Sequence, residues 1–281
     1  MYRLARRTAR KMFQRIGRRW PDQRLLDEIE LLRARIDNLR LVRNPAEPDG
    51  EFACLVPGTR EERRLYRSCF NMAWLDEFGI SPKVIFDVGS YDGGDSIRFK
   101  YRFPSAQVVA FEADPERYAV VSANVAPFGI ACVNAAVCDR DGRVDWYRSH
   151  DARFADAAAG AQGSMYRHSP EYGRRYGFVQ QSAAPVTVDG VRVDTFCARA
   201  GIAEIDVAHI DVEGAEHDVV AGFGGILPKV VYAEVVPFDA WMGARQAGEL
   251  HRKLSSIGFL LAAELINDRL YLRTDVARAL V

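Results

Sequence analysis

Val84-Ile85-Phe86-Asp87-Val88-Gly89-Ser90-Tyr91-Asp92-Gly93-Gly94-Asp95-Ser96 passes from an apolar, β-branched run through a glycine-rich turn into an amphipathic segment. Strand, tight turn and helix (residues 96–103) are the direct reading. The alternation repeats outward. Residues 107–111 form a second strand ending in Glu112, with a helix over 116–125. Residues 132–137 form a third strand, and 144–147, after the Asp141-Gly142 turn, extend the sheet. A fourth core strand spans 207–211 with its helix at 215–223, and a fifth spans 229–236. After a helix over 247–256, residues 259–266 and 270–273 close the sheet as a hairpin around Asn267-Asp268. Five β/α steps of this kind predict an α/β fold: a Rossmann-like parallel sheet with crossover helices and a terminal antiparallel hairpin.

Between residues 149 and 184 the periodicity fails, and Ala, Gly, Ser, Arg and Tyr dominate, which predicts a mobile loop or lid. Tyr166, Arg167, Arg174, Arg175 and Tyr176 could grip a sugar or phosphate there. Residues 186–196 return to strand.

The chain has 281 residues, 48% hydrophobic and 27% charged, and its formal charges cancel. That excludes wholesale disorder and argues against a dedicated nucleic-acid binder. The zero hides a gradient. Residues 1–20 carry eight Arg or Lys and no Asp or Glu, so the rest sums to −8. Such an arm could lie on an anionic membrane surface as a basic amphipathic helix. Leu25, Ile29, Leu32, Ile36 and Leu39 then step in a short heptad seam within residues 22–43, suited to packing or to pairing with a second copy. A Pro- and Gly-bearing linker ends that helix, so residues 1–50 form an extension and 51–281 the main domain. Five unpatterned cysteines (Cys54, Cys69, Cys132, Cys138 and Cys197) predict reduced thiols in a cytoplasmic chain, peripheral at the inner membrane face if the arm docks.

The turn after the first strand has the form GxxxGG rather than GxGxxG, and Asp87, Asp92 and Asp95 surround it. Three carboxylates would repel a pyrophosphate. They suit a ligand bearing an amine and a sulfonium, and S-adenosylmethionine has both. Glycines remove Cβ atoms where such a ligand crosses the loop. Glu112, about twenty residues on, is placed to accept ribose hydroxyls.

The fourth strand continues as Ala208-His209-Ile210-Asp211-Val212-Glu213-Gly214-Ala215-Glu216-His217. His209, Asp211 and Glu213 alternate, so they are read on one face at the carboxyl edge, where three ionisable groups need a task or partners. Alternatively, Glu213 caps the following helix while Glu216 and His217 face solvent.

These strings resemble the FkbM family of S-adenosylmethionine-dependent methyltransferases: Asp-Val-Gly-x-x-x-Gly from Asp87, Phe-Glu-x-x-Pro from Phe111, and His-Ile-Asp-Val-Glu-Gly-Ala-Glu from His209. Val193-Asp194-Thr195-Phe196 and Asn134-Ala135-Ala136-Val137 are similar to further family segments. The likeness spans residues 84–236 and implies a class I methyltransferase sheet and methylation of a hydroxyl on a sugar, glycan or polyketide-type natural product. It implies that Asp87 and Gly89 hold the methionine part, with Glu112 on the ribose and Tyr91, Gly93 and Ala113 also among the cofactor-binding residues. Ala135 and Ala136 would face adenine, and Asp211 the sulfonium and amine. Two positions depart from the family, which commonly has Lys at 209 and Pro at 113. For the base, His209 comes first by its match to neutral pH, with Glu213 and Asp211 behind it and His150 and His168 as candidates on the substrate side. Two other readings compete: a metal-assisted enzyme using His209, Asp211 and Glu213, and a non-catalytic cofactor-binding scaffold docked through the N-terminal arm.

Overall fold

The structure is a computed structural model and describes residues 72–153, 160–236, 238–245, 247–264 and 268–279. The basic arm, heptad helix and linker read in residues 1–50 lie outside the described residues, as do Cys54 and Cys69. Among the described residues, no helix is long and apolar enough to cross a membrane.

Seven strands form the central sheet: β1 Val84–Val88, β2 Gln107–Glu112, β3 Ala131–Asn134, β4 Val207–Ile210, β5 Val230–Glu234, β6 Phe259–Glu264 and β7 Asp268–Arg273. Their order is β3-β2-β1-β4-β5-β7-β6. The first five run parallel, and β7 pairs antiparallel with both β5 and β6. The strand order reverses between β1 and β4, and the crevice outside their carboxyl ends is where such sheets bind ligands.

Each strand alternates between two apolar layers, as a sheet covered on both faces must. Phe86, Phe111, Ile210 and Val231 pack with Val219, Phe223 and Leu254. Ile85, Val108, Val207 and Tyr232 pack on the other side with Leu75, Ile97, Phe99 and Val121. Phe86 is 1% exposed, with the Phe111 and Phe196 rings 5.2 and 5.6 Å away, so Phe86→Ala would cost about 3–5 kcal/mol.

Three readings are corrected. First, residues 144–147 do not extend the central sheet. The strand Gly142–Trp146 pairs with Val186–Val191, which pairs in turn with Ala136–Val137, in a separate three-stranded sheet. The chain leaves β3 because Asn134 turns its amide onto the carbonyls of Glu112 (2.8 Å) and Ala113 (3.1 Å). Second, Val193–Ala200 is a helix and not more strand, since Val193 and Cys197, four apart, bury one face before Gly201 ends it at φ 67°. Third, the described part of residues 149–184 is ordered by pairing. Ser149–Asp151 joins Val179–Gln181, and Arg167–His168 joins Trp241–Met242. The helix Pro170–Arg175 starts where Ser169 Oγ accepts from the Tyr172 amide and Pro170 fills the first turn. Of the described cysteines, Cys138 and Cys197 are buried, Cys132 is half-buried, and all three are free thiols.

Candidate active site

At the carboxyl ends of β1, β2 and β4 lies a cleft. Gly89, Tyr91, Glu112, Ala113, Ala135, Ala136, Asp211 and Glu213 all stand in its wall. Tyr91 (φ 52°) and Glu213 (φ 53°) are also the non-glycine residues of positive φ among the described residues. Each such conformation costs about 1–3 kcal/mol unless its surroundings impose it. Here they do. The Tyr91 amide donates to Glu112 Oε2 (3.0 Å) and its ring lies under the Arg117 guanidinium at 4.3 Å, while the Glu213 carbonyl accepts from Ser164 Oγ at 2.6 Å.

Asp87, Gly93 and His209 lie behind that wall. The β1–β4 register sets Asp87 opposite His209, and His209 Nδ1 meets Asp87 Oδ1 at 2.8 Å, while Ser96 Oγ donates to Asp87 Oδ2. His209 shares its face with Val207 rather than with the cleft, stacked on Tyr232 at 5.6 Å and set edge-on to Phe99 at 5.9 Å. Burial opposes its charge, but the Asp87 hydrogen bond and the charges of Asp95, Asp87 and Asp211 outweigh burial and push it up to about 9. Burial opposes the Asp87 charge as well, yet the bond and charge of His209 hold its carboxyl below the usual range. Two buried groups thus neutralise each other, and His209 already carries a proton at neutral pH. The glycine reading also changes. A Cβ on Gly89 would fall 1.8 Å from the Asp211 carbonyl oxygen, and one on Gly93 2.5 Å from Val125 Cγ1. Both glycines leave room for protein atoms, and Gly89 lines the cleft as well.

The chain leaves β4 at Ile210, so Asp211 and Glu213 stand beyond the strand and escape its alternation. Their carboxylate oxygens and one of Glu234 lie within 4.8 Å of one another. Asp211 is open to solvent in the cleft yet deep among protein atoms, and burial raises it above the ordinary range, with the charges of Asp95 and Asp87 adding. Burial and the charges of Asp211 and Glu216 push Glu213 well above its usual value, and burial with Asp211 and Glu213 does the same to Glu234. Glu216, not Glu213, ties the turn, accepting from the amides of Val212 (3.3 Å) and Gly214 (3.1 Å). It is 8% exposed rather than facing solvent. The metal-assisted alternative is revised too, since Glu234 takes the place assigned to His209.

Glu112 is 6% exposed, its two oxygens accept the Tyr91 and Asp114 amides, and burial pushes it up to about 7. Hydroxyls donating to it would restore its ionised form.

The family model of the methyltransferase FkbM domain matches residues 87–261, which include both strand-end motifs and the acid cluster. The chain belongs to the FkbM methyltransferase family. It is 34% identical over 166 residues to the 2-O-methyltransferase NoeI of Sinorhizobium fredii (strain NBRC 101917 / NGR234), a match covering 57% of this chain and 66% of that relative. The chain thus spans just under two thirds of the relative's length. Precorrin-6y C5,15-methyltransferase from Geobacter metallireducens is 12% identical with TM-score 0.39, covering 74% of this chain and 82% of that one. A methyltransferase from Geobacter sulfurreducens is 14% identical with TM-score 0.35, covering 95% and 97%.

Sequence reasoning missed part of the FkbM domain's cleft. Arg117, Trp146, Ser149, Gly160, Gly163 and Met165 also stand in the wall. A Cβ on Gly160 would fall 1.9 Å from the Ser149 carbonyl oxygen, and one on Gly163 2.9 Å from the Trp146 ring. That glycine pair was the available signal. Trp146 Nε1 and Ser149 Oγ are buried without hydrogen-bond partners. The candidates on the substrate side are largely engaged elsewhere. His168 stacks on Tyr172 at 3.9 Å, Tyr166 Oη donates to Asp218 (2.6 Å), and Arg175 pairs with Glu171 (2.6 Å). His150 lines a separate polar cavity.

Proposed function

We propose that this chain is an S-adenosylmethionine-dependent O-methyltransferase whose acceptor is a hydroxyl of a sugar or glycan. The single observation that carries the reading is a cleft that holds Glu112, Asp211 and Glu213 together, with a carboxylate oxygen of Glu234 within 4.8 Å of the last two. Among the described residues, no lysine or arginine forms an ion pair with Asp211, Glu213 or Glu234. The relative NoeI, by its name a 2-O-methyltransferase, supports oxygen as the acceptor atom.

Glu112 would accept the ribose hydroxyls, and Ala113, Ala135, Ala136 and Trp146 would enclose the adenine. Gly89, Tyr91 and Asp211 would take the methionine part, whose amine and sulfonium offset the carboxylate charge. When bound, the donor supplies a methyl group on a positively charged sulfur. The residues of the cleft align an incoming hydroxyl with it, and alignment alone can be worth about 7–11 kcal/mol. The donor would supply the methyl group to the acceptor oxygen and leave as the neutral thioether, and the hydroxyl proton would pass to a carboxylate of the cleft. Glu213 is best suited to take it, because burial and like charge hold its pKa high.

The test is incubation of the chain with methyl-labelled donor and a panel of methyl glycosides and oligosaccharides, followed by acid hydrolysis. Label recovered as an O-methyl sugar is the expected result. Label confined to nitrogen or carbon acceptors would overturn the reading.

A further inference from the structure

The turn that follows β4 is held from two directions. Glu216 Oε1 accepts the amides of Val212 and Gly214 from within it. The carbonyl of Glu213, between them, is met from outside, by the hydroxyl of Ser164, 49 positions away in the chain. Ser164 is 0% exposed, and its own backbone is tied down. Its amide and carbonyl exchange bonds with Tyr147 (3.0 and 2.7 Å). Its Oγ donates to the Glu213 carbonyl at 2.6 Å and accepts the Tyr166 amide at 2.9 Å.

Residues 160–166 thus form a strap across the site. Gly160, Ala161, Gly163 and Met165 on it stand in the wall of the same cleft as Glu213. A second side-chain bond, from Tyr166 Oη to Asp218 (2.6 Å), fastens the strap to the helix Glu216–Ala221. Glu213 itself stands at φ 53°, a conformation that a residue with a Cβ gives up unless its surroundings hold it. A hydroxyl–carbonyl bond inside a protein is of the same order as that strain. Relaxation to a negative φ would swing the Glu213 side chain to a new direction.

We propose that Ser164 is a positioning residue: its hydroxyl keeps the Glu213 backbone in the left-handed conformation and so keeps the carboxylate aimed into the cleft. The strap that walls the cleft thereby also sets the base. The inference rests on the role proposed for Glu213 and deepens it.

The test compares Ser164→Ala, which removes the hydroxyl, with Tyr166→Phe, which removes the strap's other side-chain bond and leaves the one to Glu213. Melting curves check folding. Ser164→Cys, close in size but a far weaker donor, replaces the alanine variant if that one does not melt cooperatively. Crystal structures of the wild type and the variants read φ at Glu213 independently of turnover. Turnover is measured on the methyl glycoside that takes up label from S-adenosylmethionine. Expected in the Ser164 variant is a negative φ at Glu213, or two conformers there, with turnover lowered about five- to tenfold and S-adenosylmethionine affinity within about twofold. Tyr166→Phe should keep the positive φ, with turnover within about twofold. A positive φ retained in the Ser164 variant, the same losses in Tyr166→Phe, or a donor affinity lost along with turnover would each overturn the inference. A turned Glu213 with undiminished turnover would count instead against Glu213 as the base and leave the role of Ser164 in the backbone standing.

Discussion

Asp87 and Asp211 stand near the ends of neighbouring strands, the first buried and the second open to the cleft, and their surroundings treat them oppositely. Asp87 meets His209 at 2.8 Å and takes a second bond from Ser96, so its charge is matched inside the core. Asp211 leaves the strand into a cleft and meets two further carboxylates, Glu213 and Glu234. A buried ion pair can hold the fold together, although breaking it is more costly than making it is rewarding. Crowded carboxylates do the reverse, since they raise one another's pKa and favour a cation or a proton, and the charge of His209 offsets this at Asp211 only in part. On the proposed reading the acids beside Asp211 serve a ligand, while Asp87, bonded to His209 and Ser96, serves the fold.

The largest expected effect lies in the crowded group. Glu213→Gln should lower turnover about 10²–10⁴-fold while leaving the melting temperature unchanged or raised, because a carboxyl that burial and like charge disfavour is replaced by a neutral amide. A large loss of stability there would erase the contrast. Next comes the compensated pair. His209→Ala leaves Asp87 buried alone and should cost about 3–5 kcal/mol in denaturant unfolding. Because His209 is raised from 6.5 to about 9, its contribution is full below pH 6.5 and is lost as pH rises through about 9. The wild type should weaken across that window and the variant should not.

A smaller effect belongs to Glu112. With its carboxyl at about 7 and hydroxyls favouring the ionised form, affinity for S-adenosylmethionine should fall roughly tenfold per pH unit below 7 and level off above it. The smallest is no change at all. Exhaustive chelation should leave turnover intact if Asp211, Glu213 and Glu234 act directly, whereas loss restored by Mg²⁺ would recast them as metal ligands.

The central sheet was legible because β runs and helices alternate with their own periods, and the five parallel strands and closing hairpin expected there are found, while residues 144–147 are not among them. What periodicity cannot carry is where an element pairs. Residues 142–146 read as strand, but nothing local says that they join 186–191 rather than β3. The site divides in the same way. Glu112, Asp211 and Glu213 were legible as acids ending strands. His209 passed for a base because the alternation names a face and not what covers it, and Asp87 lies 122 residues away. Gly89 was singled out for admitting a ligand, although its missing Cβ admits the Asp211 carbonyl oxygen. Glu234 went unnoticed near the end of an apolar run, and Trp146 lay at the edge of a segment without period.

The measurement closest to the central claim is calorimetric titration of S-adenosylmethionine into the wild type and into Glu112→Ala. Saturable binding that weakens about 10²-fold or more in a variant that still melts cooperatively is the expected result, since two charge-assisted hydrogen bonds are lost. Equal affinity in the two proteins would contradict the placement of the donor in this cleft.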